Sequence, residues 1–586
     1  MNMKQLMTKW ADNINEKNVL GEYPRPLMRR KSYVNLNGIW KYAIREIKGF
    51  PKKMDGDILV PFSPEAVLSG VNRQLKPEEY LWYKRRLPDE VKPEKGSRWI
   101  LHFGAVDQCA VVYINGKKQG KHVGGYLPFS YDITEALKEE KNLLTVKVRD
   151  YSETCYYSRG KQKLKNGGMF YTAQSGIWQT VWIEKVPECY IGHLKITPLY
   201  DQSSIMIQME EEHGIKDIDY EVTITARKMW PVKASGKTGK PCVIMIPHMR
   251  SWSPEDPFLY DLHVRMGEDS VESYFAMRKV EVKNDKEGIP RIFLNNEPYF
   301  EKGVLDQGYW PDGLYTPPCD EAMIYDIQKM KDLGFNMIRK HIKIEPQRWY
   351  YHCDRIGMLV WQDMVNGGRD YKSWYVTYMA TAMEGMHIRA KDTRIHLMGR
   401  QDPAGQRQFE KEMKETLRLL YNHPSIVTWV IFNEGWGQFQ TKKMTDIVRA
   451  EDPYRLTDSA SGWFDQGCGD IRSIHDYFFP LHVTPEKRVT ALTEFGGYSL
   501  QIPKHSMYEK KVYGYKKFKR KRELTAGYEK LIKKLIIPNI SRGLSATVYT
   551  QLSDIEEEVN GIISYDRKIV KMDEKTVKKL NEKLHF

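Results

Sequence analysis

Apolar and polar positions alternate in short runs over the first third of this chain. Trp99-Ile100-Leu101-His102-Phe103, Ala110-Val111-Val112-Tyr113-Ile114 and Leu143-Leu144-Thr145-Val146-Lys147-Val148 each read as a strand. A period of two puts one face on a core and the other in water. Asn115-Gly116 closes the second run, and this dipeptide tolerates the positive φ angles of a tight hairpin. Many such runs from Arg30 to about Pro187 predict a jelly-roll β-sandwich, preceded by a leader over 1–25 that packs on the body. Tyr220-Glu221-Val222-Thr223-Ile224-Thr225-Ala226 and Leu259-Tyr260-Asp261-Leu262-His263-Val264 carry the pattern through 188–282, a length that fits an immunoglobulin-like sandwich. Lys283-Asn284-Asp285-Lys286-Glu287-Gly288 is polar and reads as a hinge.

Beyond about 289 the pattern changes to strands alternating with helices. Strands are expected at 300–304, 335–340, 358–362, 426–433, 455–459, 470–477, 489–493 and 545–550. Helical spacing runs from Cys319 to Leu333, Pro346 to Ile356 and Gln408 to Tyr421. This alternation predicts a (β/α)8 TIM barrel with abbreviated fifth and sixth units. The whole reads as a multidomain chain: a jelly roll over 1–187, an immunoglobulin-like sandwich over 188–282 and a barrel over 283–586. A chain of 586 residues is too long for one core.

Two of the expected barrel strands end in a carboxylate. Ser425 to Phe432 leads into Asn433-Glu434, and Val489 to Thr493 leads into Glu494-Phe495-Gly496-Gly497. A strand-end Glu is ordinarily a solvated loop residue or half of an ion pair. Three features favour chemistry instead. Asn433 can donate to a sugar hydroxyl, Pro424 punctuates the strand start, and Trp429, Phe432, Trp436, Phe495 and Tyr498 supply rings for sugar C–H faces. In a barrel, functional side chains gather at the C-terminal strand ends, and paired carboxylates there are what glycoside hydrolysis needs.

Asn422-His423-Pro424-Ser425 followed by a strand and Asn433-Glu434 resembles the acid/base motif of glycoside hydrolase family 2, and Thr493-Glu494-Phe495-Gly496-Gly497 resembles its nucleophile motif. Glu22-Tyr23-Pro24-Arg25-Pro26, Val34 to Trp40 and Ser175 to Trp182 look like its sugar-binding domain, and Trp252 to Pro257 with Phe275-Ala276-Met277-Arg278 like its middle sandwich. The resemblance implies that Glu434 is the acid/base and Glu494 the nucleophile of a retaining mechanism. Arg339 is then the expected cation holding Glu494 ionised, and Trp436 the wall of a drier site for Glu434. His475 and Tyr477 take substrate-side positions by the same resemblance, with Tyr477 placed to hydrogen-bond Glu494. Asp306 and Asp363 read equally as sugar-hydroxyl ligands or helix caps. Trp463 reads as a platform or a core ring, and Gln551 and Asp554 as rim residues.

The sequence departs from the family at two places. The segment after the second strand reads Arg339-Lys340-His341-Ile342-Lys343-Ile344-Glu345-Pro346, not Arg-x-x-His-Tyr-Pro. The Asn-x-Lys that reads a glucuronide carboxylate is missing after the eighth strand; Asn581-Glu582-Lys583 lies in the tail. A neutral glycone is therefore expected, with β-galactosidase as the first activity. β-Glucosidase, β-mannosidase, α-L-arabinofuranosidase and β-galactofuranosidase are the alternatives, then β-glucuronidase or a non-catalytic carbohydrate-binding protein.

Seven scattered cysteines without a Cys-x-x-Cys pair argue against a disulfide framework or zinc site. No metal or other cofactor is expected. No apolar stretch approaches a membrane span. The first ten residues lack an apolar signal core, which favours a cytoplasmic protein or one whose signal was removed. The net charge of +15 raises the question of nucleic acid. The densest basic run, Lys510 to Arg522 with Tyr513, Tyr515 and Phe518 interleaved, reads instead as a solvated face or lid at the barrel mouth. The expected partner is an oligosaccharide or glycoside, with no nucleic acid and no membrane; a homo-oligomer is left open.

Overall fold

The computed structural model describes residues 6–586 except 228, 386–389, 478–480, 485 and 511. Lys511 of the basic run and residues 1–5 of the leader thus lie outside the described residues. The first sandwich packs a six-stranded sheet, centred on Tyr80–Arg86 and Leu143–Arg149, against a four-stranded sheet containing Ser97–Phe103 and Val181–Pro187. Trp40, Leu81, Tyr83, Leu101, Phe103 and Val146 fill the space between them. Asn115 and Gly116 take φ angles of 52° and 82° and turn Cys109–Ile114 back onto Lys117–Val123, the hairpin predicted from that dipeptide. The second sandwich pairs sheets of three and four strands. In its Tyr260–Met266 strand, buried and exposed positions alternate without a break.

The third unit is an eight-stranded parallel barrel. Its strands are β1 (Glu301–Asp306), β2 (Met337–Lys340), β3 (Leu359–Asp363), β4 (Ile426–Val430), β5 (Leu456–Asp458), β6 (Ile471–Asp476), β7 (Val489–Gly496) and β8 (Leu544–Thr550). Hydrogen bonding runs β5-β4-β3-β2-β1-β8-β7-β6, so β5 and β6 flank the one unladdered seam. Every residue of β3 and β4 is buried. Covered inside by packed side chains and outside by helices, such strands show unbroken apolar runs rather than alternation. Asp320–Asp332, Gln347–Ile356, Pro403–Leu420 and Thr441–Glu451 are the helices after β1 to β4. Among the described residues no helix separates β5 from β6. A helical insertion at Trp374–Gly385 precedes Pro403–Leu420. Its Tyr375, Val376, Met379 and Ala380 face a cluster with Trp436 and Phe464, while Trp374 and Tyr378 are exposed.

One sequence expectation is corrected. Lys283–Gly288 is not a free hinge but the turn of a hairpin formed by Val280–Asn284 and Pro290–Leu294. Asp285 Oδ1 accepts from the backbone N–H of Glu287 and Ile289. Polar composition marks a solvated turn equally in a linker or a hairpin; only the ladder partner tells them apart. The hairpin packs onto the barrel interior, where Val280, Ile292 and Trp252 share a cluster with Met337, Val427, Val489 and Ala546.

Both sandwiches are tied to the barrel. Trp252 Nε1 donates to Asp354 O at 2.8 Å, and Arg278 donates to Pro424 O at 2.9 Å and Ile426 O at 2.7 Å. Trp178 is fully buried, stands 5.3 Å from the Tyr315 ring, and accepts from Thr316 Oγ1 at 2.7 Å. The leader packs on the same body, with Thr8 N donating to Asp312 Oδ2 at 2.9 Å. No helix among the described residues is long and apolar enough to cross a membrane.

Candidate active site

β4 and β7 carry their carboxylates to one place. The chain leaves the β4 ladder after Val430, and an isolated bridge from Asn433 to Ser461 anchors the turn that follows. Glu434 sits in that turn at a φ of 51°, a left-handed conformation uncommon for non-glycine residues. One oxygen of Glu434, one of Glu494 and a ring nitrogen of His475 all lie within 4.8 Å of one another. His475, from β6, stands between the acids. Its Nδ1 is 3.2 Å from Glu434 Oε1, and its Nε2 is 3.0 Å from Ser461 Oγ and 3.7 Å from Glu494 Oε1. Both carboxylates are buried.

Glu494 is the better held of the two. Tyr477 OH donates to its Oε2 at 2.5 Å, and Arg339 approaches its Oε1 at 3.3 Å. Burial alone would push this carboxyl up. The positive charges around it, His475 first and then Arg339 and Lys161, outweigh that and hold it well below the usual carboxylate range. Arg339 is itself fully buried at the end of β2. It clamps Asp363 through both oxygens at 3.0 Å and donates to Asn433 Oδ1 at 2.9 Å. Asp363 also receives His341 Nδ1 at 2.7 Å. Burial, then the Lys161 charge, keep His341 far below the usual imidazole range and therefore neutral. With Nδ1–H donated to Asp363, His341 Nε2 is an acceptor. That atom and Asn433 Nδ2 are buried without a hydrogen-bond partner among the described residues. One acceptor and one donor are thus kept open beside the carboxylates, as a polyhydroxylated ligand requires.

The other expected residues divide. Trp436 is buried and stacked on Tyr371 and Phe170 at centroid distances of 5.2 and 5.5 Å, and Trp463 meets His475 edge-on at 6.2 Å. Asp306 does not face the acids with a free oxygen. Its Oδ1 accepts from Gly308 N at 2.8 Å and its Oδ2 from Lys340 Nζ at 2.5 Å. Gln551 is spent in the fold on Gln307 and Asn560, at 2.8 and 2.7 Å, and Asp554 on Lys571.

Residues that the sequence reading did not assign complete the rim. Segment 159–172 of the first sandwich reaches over the barrel. Arg159 binds Gly368 O and Asp370 at 3.3 and 3.0 Å, Lys161 Nζ lies 5.1 Å over the Trp436 ring, and Tyr171 donates to Glu558. Asn166 and Gly168 N bind Glu556 and Glu557 at 2.6 and 3.0 Å, so the loop after β8 is buttressed by another domain. The basic run contributes Tyr515, stacked on Tyr477 at 4.1 Å, and Tyr513, whose N–H donates to Glu557 O at 2.8 Å. That run is therefore part of the barrel mouth. A signal for the sandwich loop was present in its lack of periodicity, since long irregular stretches in compact domains are commonly binding loops. Among the described residues, Glu434, His475 and Glu494 are also the set close enough to share a cation. Such a cation would neutralise both carboxylates together.

A buried carboxylate pair at the strand ends of a parallel barrel, beside open hydrogen-bonding groups, defines a glycosidase-type site. Residues 319–494 match the TIM barrel domain of glycosyl hydrolases family 2, and residues 71–187 match the family's sugar-binding domain. The chain belongs to glycoside hydrolase family 2. It is 24% identical over 473 residues to a putative β-glucuronidase of Formosa agariphila, covering 74% of this chain and 52% of that protein. It is 23% identical over 514 residues to a β-galactosidase of Thermoanaerobacter pseudethanolicus, covering 80% of this chain and 61% of that protein. The chain thus spans little more than half the length of these relatives. The solved structure of a β-glucuronidase from an uncultured Clostridium sp. shares the fold, with a TM-score of 0.72 at 17% identity over 95% of this chain and 98% of that one.

Because the first sandwich supplies the wall over Trp436 and the second closes the barrel interior, residues 283–586 expressed alone are expected to be insoluble or inactive. Soluble yield and glycosidase assay check this; a fully active isolated barrel would show the sandwiches to be accessory.

Proposed function

We propose that the chain is a retaining, exo-acting glycosidase in which Glu494 is the nucleophile and Glu434 the acid/base. The supporting observation is the 4.8 Å limit on the spread of the Glu434, His475 and Glu494 atoms. Retaining enzymes hold their carboxyls about 5–5.5 Å apart, whereas inverting ones need roughly 6.5–9.5 Å to seat a water between them. The surroundings fit the same division of labour. Glu494, ringed by Arg339, Tyr477 and His475, stays ionised and can attack the anomeric carbon. Glu434 donates a proton to the leaving oxygen and then, as a carboxylate, takes one from water. Tyr477 and Arg339 orient Glu494, while Asn433 Nδ2 and His341 Nε2 meet sugar hydroxyls. As working units we take 1–187, 188–282 and 283–586, with the last carrying both carboxylates.

The expected result is net retention of anomeric configuration and a covalent adduct on Glu494 with a 2-deoxy-2-fluoro glycoside. Proton NMR of the first-formed sugar and mass spectrometry of the labelled peptide read the two. Inversion, or a label on another carboxylate, sinks the mechanism even where hydrolysis is found.

For the glycone, the missing Asn-x-Lys favours a neutral sugar, with a β-galactoside the first to assay. The relatives carry both names, β-galactosidase and β-glucuronidase. One feature of the pocket, the charge of Lys161, favours the acidic glycone.

A further inference from the structure

Four lysines are buried among the described residues: Lys161, Lys340, Lys343 and Lys571. Three are neutralised in place. Lys340 reaches Asp306 and Glu345 at 2.5 and 2.8 Å, Lys343 reaches Glu345 at 2.9 Å, and Lys571 reaches Asp554 at 2.5 Å. This is the ordinary condition of a buried ammonium, because desolvating an unpaired charge is costly. Lys161 is the exception. It is 8% exposed, and its ammonium makes no ion pair or hydrogen bond among the described residues. Its contact is the Trp436 ring, 5.1 Å away. A ring face holds a cation without cancelling its charge. The charge acts on both Glu494 and His341, so it faces the pocket that holds them.

We propose that Lys161, carried into the barrel mouth by the first sandwich, is the specificity-determining residue that binds a carboxylate on the glycone, so that the substrate is a β-linked uronic acid. This rests on the glycosidase reading above. A sugar carboxylate entering a pocket that already contains ionised Glu494 needs a counter-charge of its own. Arg339 cannot provide it, being committed to Asp363, Asn433 and Glu494. Among the buried lysines of the described residues Lys161 is the uncommitted one, and it comes from a different domain than the missing Asn-x-Lys would. The outer rim agrees in sign: Lys516, Lys517, Lys519 and Arg520 are exposed on the segment that carries Tyr515, and a positive rim steers anions inward.

The test uses the full chain, as wild type and as Lys161→Met, Lys161→Gln and Lys161→Arg. Nitrophenyl β-D-glucuronide and β-D-galacturonide are compared with the β-D-galactoside, and each variant's Tm is recorded. The ratio of kcat/KM on the better uronide to that on the galactoside is expected to fall about 10–100-fold in the Met and Gln variants, the worth of a charge-assisted hydrogen bond. Most of the fall should appear in KM, and Arg should restore part of it. In the wild type, added salt should lower kcat/KM for the uronide more than for the galactoside, a measurement that needs no variant to fold. Equal losses on both substrates, equal salt dependence, or a wild type that cleaves the galactoside and neither uronide would overturn the assignment of Lys161 while leaving the glycosidase intact. A wild type that cleaves no glycoside would overturn the glycosidase reading itself.

Discussion

Glu494→Gln is expected to abolish turnover, by a factor on the order of 10⁶, the scale seen when a covalent nucleophile is removed, with Tm changed by no more than a few degrees. Fold and activity separate here for a stated reason. With its oxygen turned to Arg339 the amide can still accept there, its NH2 can donate to the Tyr477 hydroxyl, and Arg339 keeps its two bonds to Asp363. No buried charge is left unpaired. Glu434→Ala should behave differently. Loss of a general acid costs about 10²–10⁴, concentrated on substrates with poor leaving groups. Activated aryl glycosides should remain cleavable, and azide should restore turnover by attacking the glycosyl-enzyme to give a glycosyl azide of retained configuration. Were Glu434 only the partner of His475, azide would do nothing. Near wild-type rates in either variant, measured with an unactivated substrate, defeat the assignment of both.

Arg339→Met should damage both stability and chemistry. The guanidinium is wholly buried and bridges Asp363, Asn433 and Glu494. Removing it takes the guanidinium from two buried carboxylates at once, a loss of about 3–5 kcal/mol. The pH dependence follows from the direction of the shifts. In the wild type, Glu494 titrates below its unfolded value, so its contribution to stability is present above that value, about 4.3, and is lost as pH falls through the folded one. In the variant Glu494 and Asp363 each lose the Arg339 charge and both rise. An elevated carboxyl penalises the fold at neutral pH, and acid relieves the penalty by protonation. The Tm gap between wild type and variant should therefore be widest near neutrality and should narrow as pH falls toward about 4. The acid limb of kcat/KM should move up in pH as well. A gap independent of pH would show that Arg339 acts through packing alone.

Much of this fold is legible in the chain. The eight barrel strands overlap the eight expected ones, and the unbroken burial of β3, β4 and β8 marks strands covered on both sides. Asn115-Gly116 turns as its backbone preference requires. The order of sandwich, sandwich and barrel follows from the change of period near residue 289. The positions of Glu434 and Glu494 at strand ends follow too, as does the placement of Arg339 and Tyr477 beside Glu494. Period suffices for the strands; the placement of Arg339 and Tyr477 beside Glu494 came from the resemblance to the family.

The rest was decided only by tertiary structure. Asp306 and Asp363 both stand at strand ends and look alike in the sequence; the first is consumed by Lys340 and Gly308 N, the second is clamped beneath the pocket by Arg339 and His341. Which partner takes a carboxylate depends on residues that periodicity does not place. The polar stretch at 283–288 became a hairpin turn because Val280–Asn284 found Pro290–Leu294. Lys161, Phe170 and Tyr515 reach the mouth from segments far away in the chain, without a period of two or 3.6 to mark them. The sequence by itself determines which faces are buried and where the two carboxylates stand. What covers those carboxylates, and with which charge, is a matter of long-range packing between domains, and that is where the choice of sugar resides.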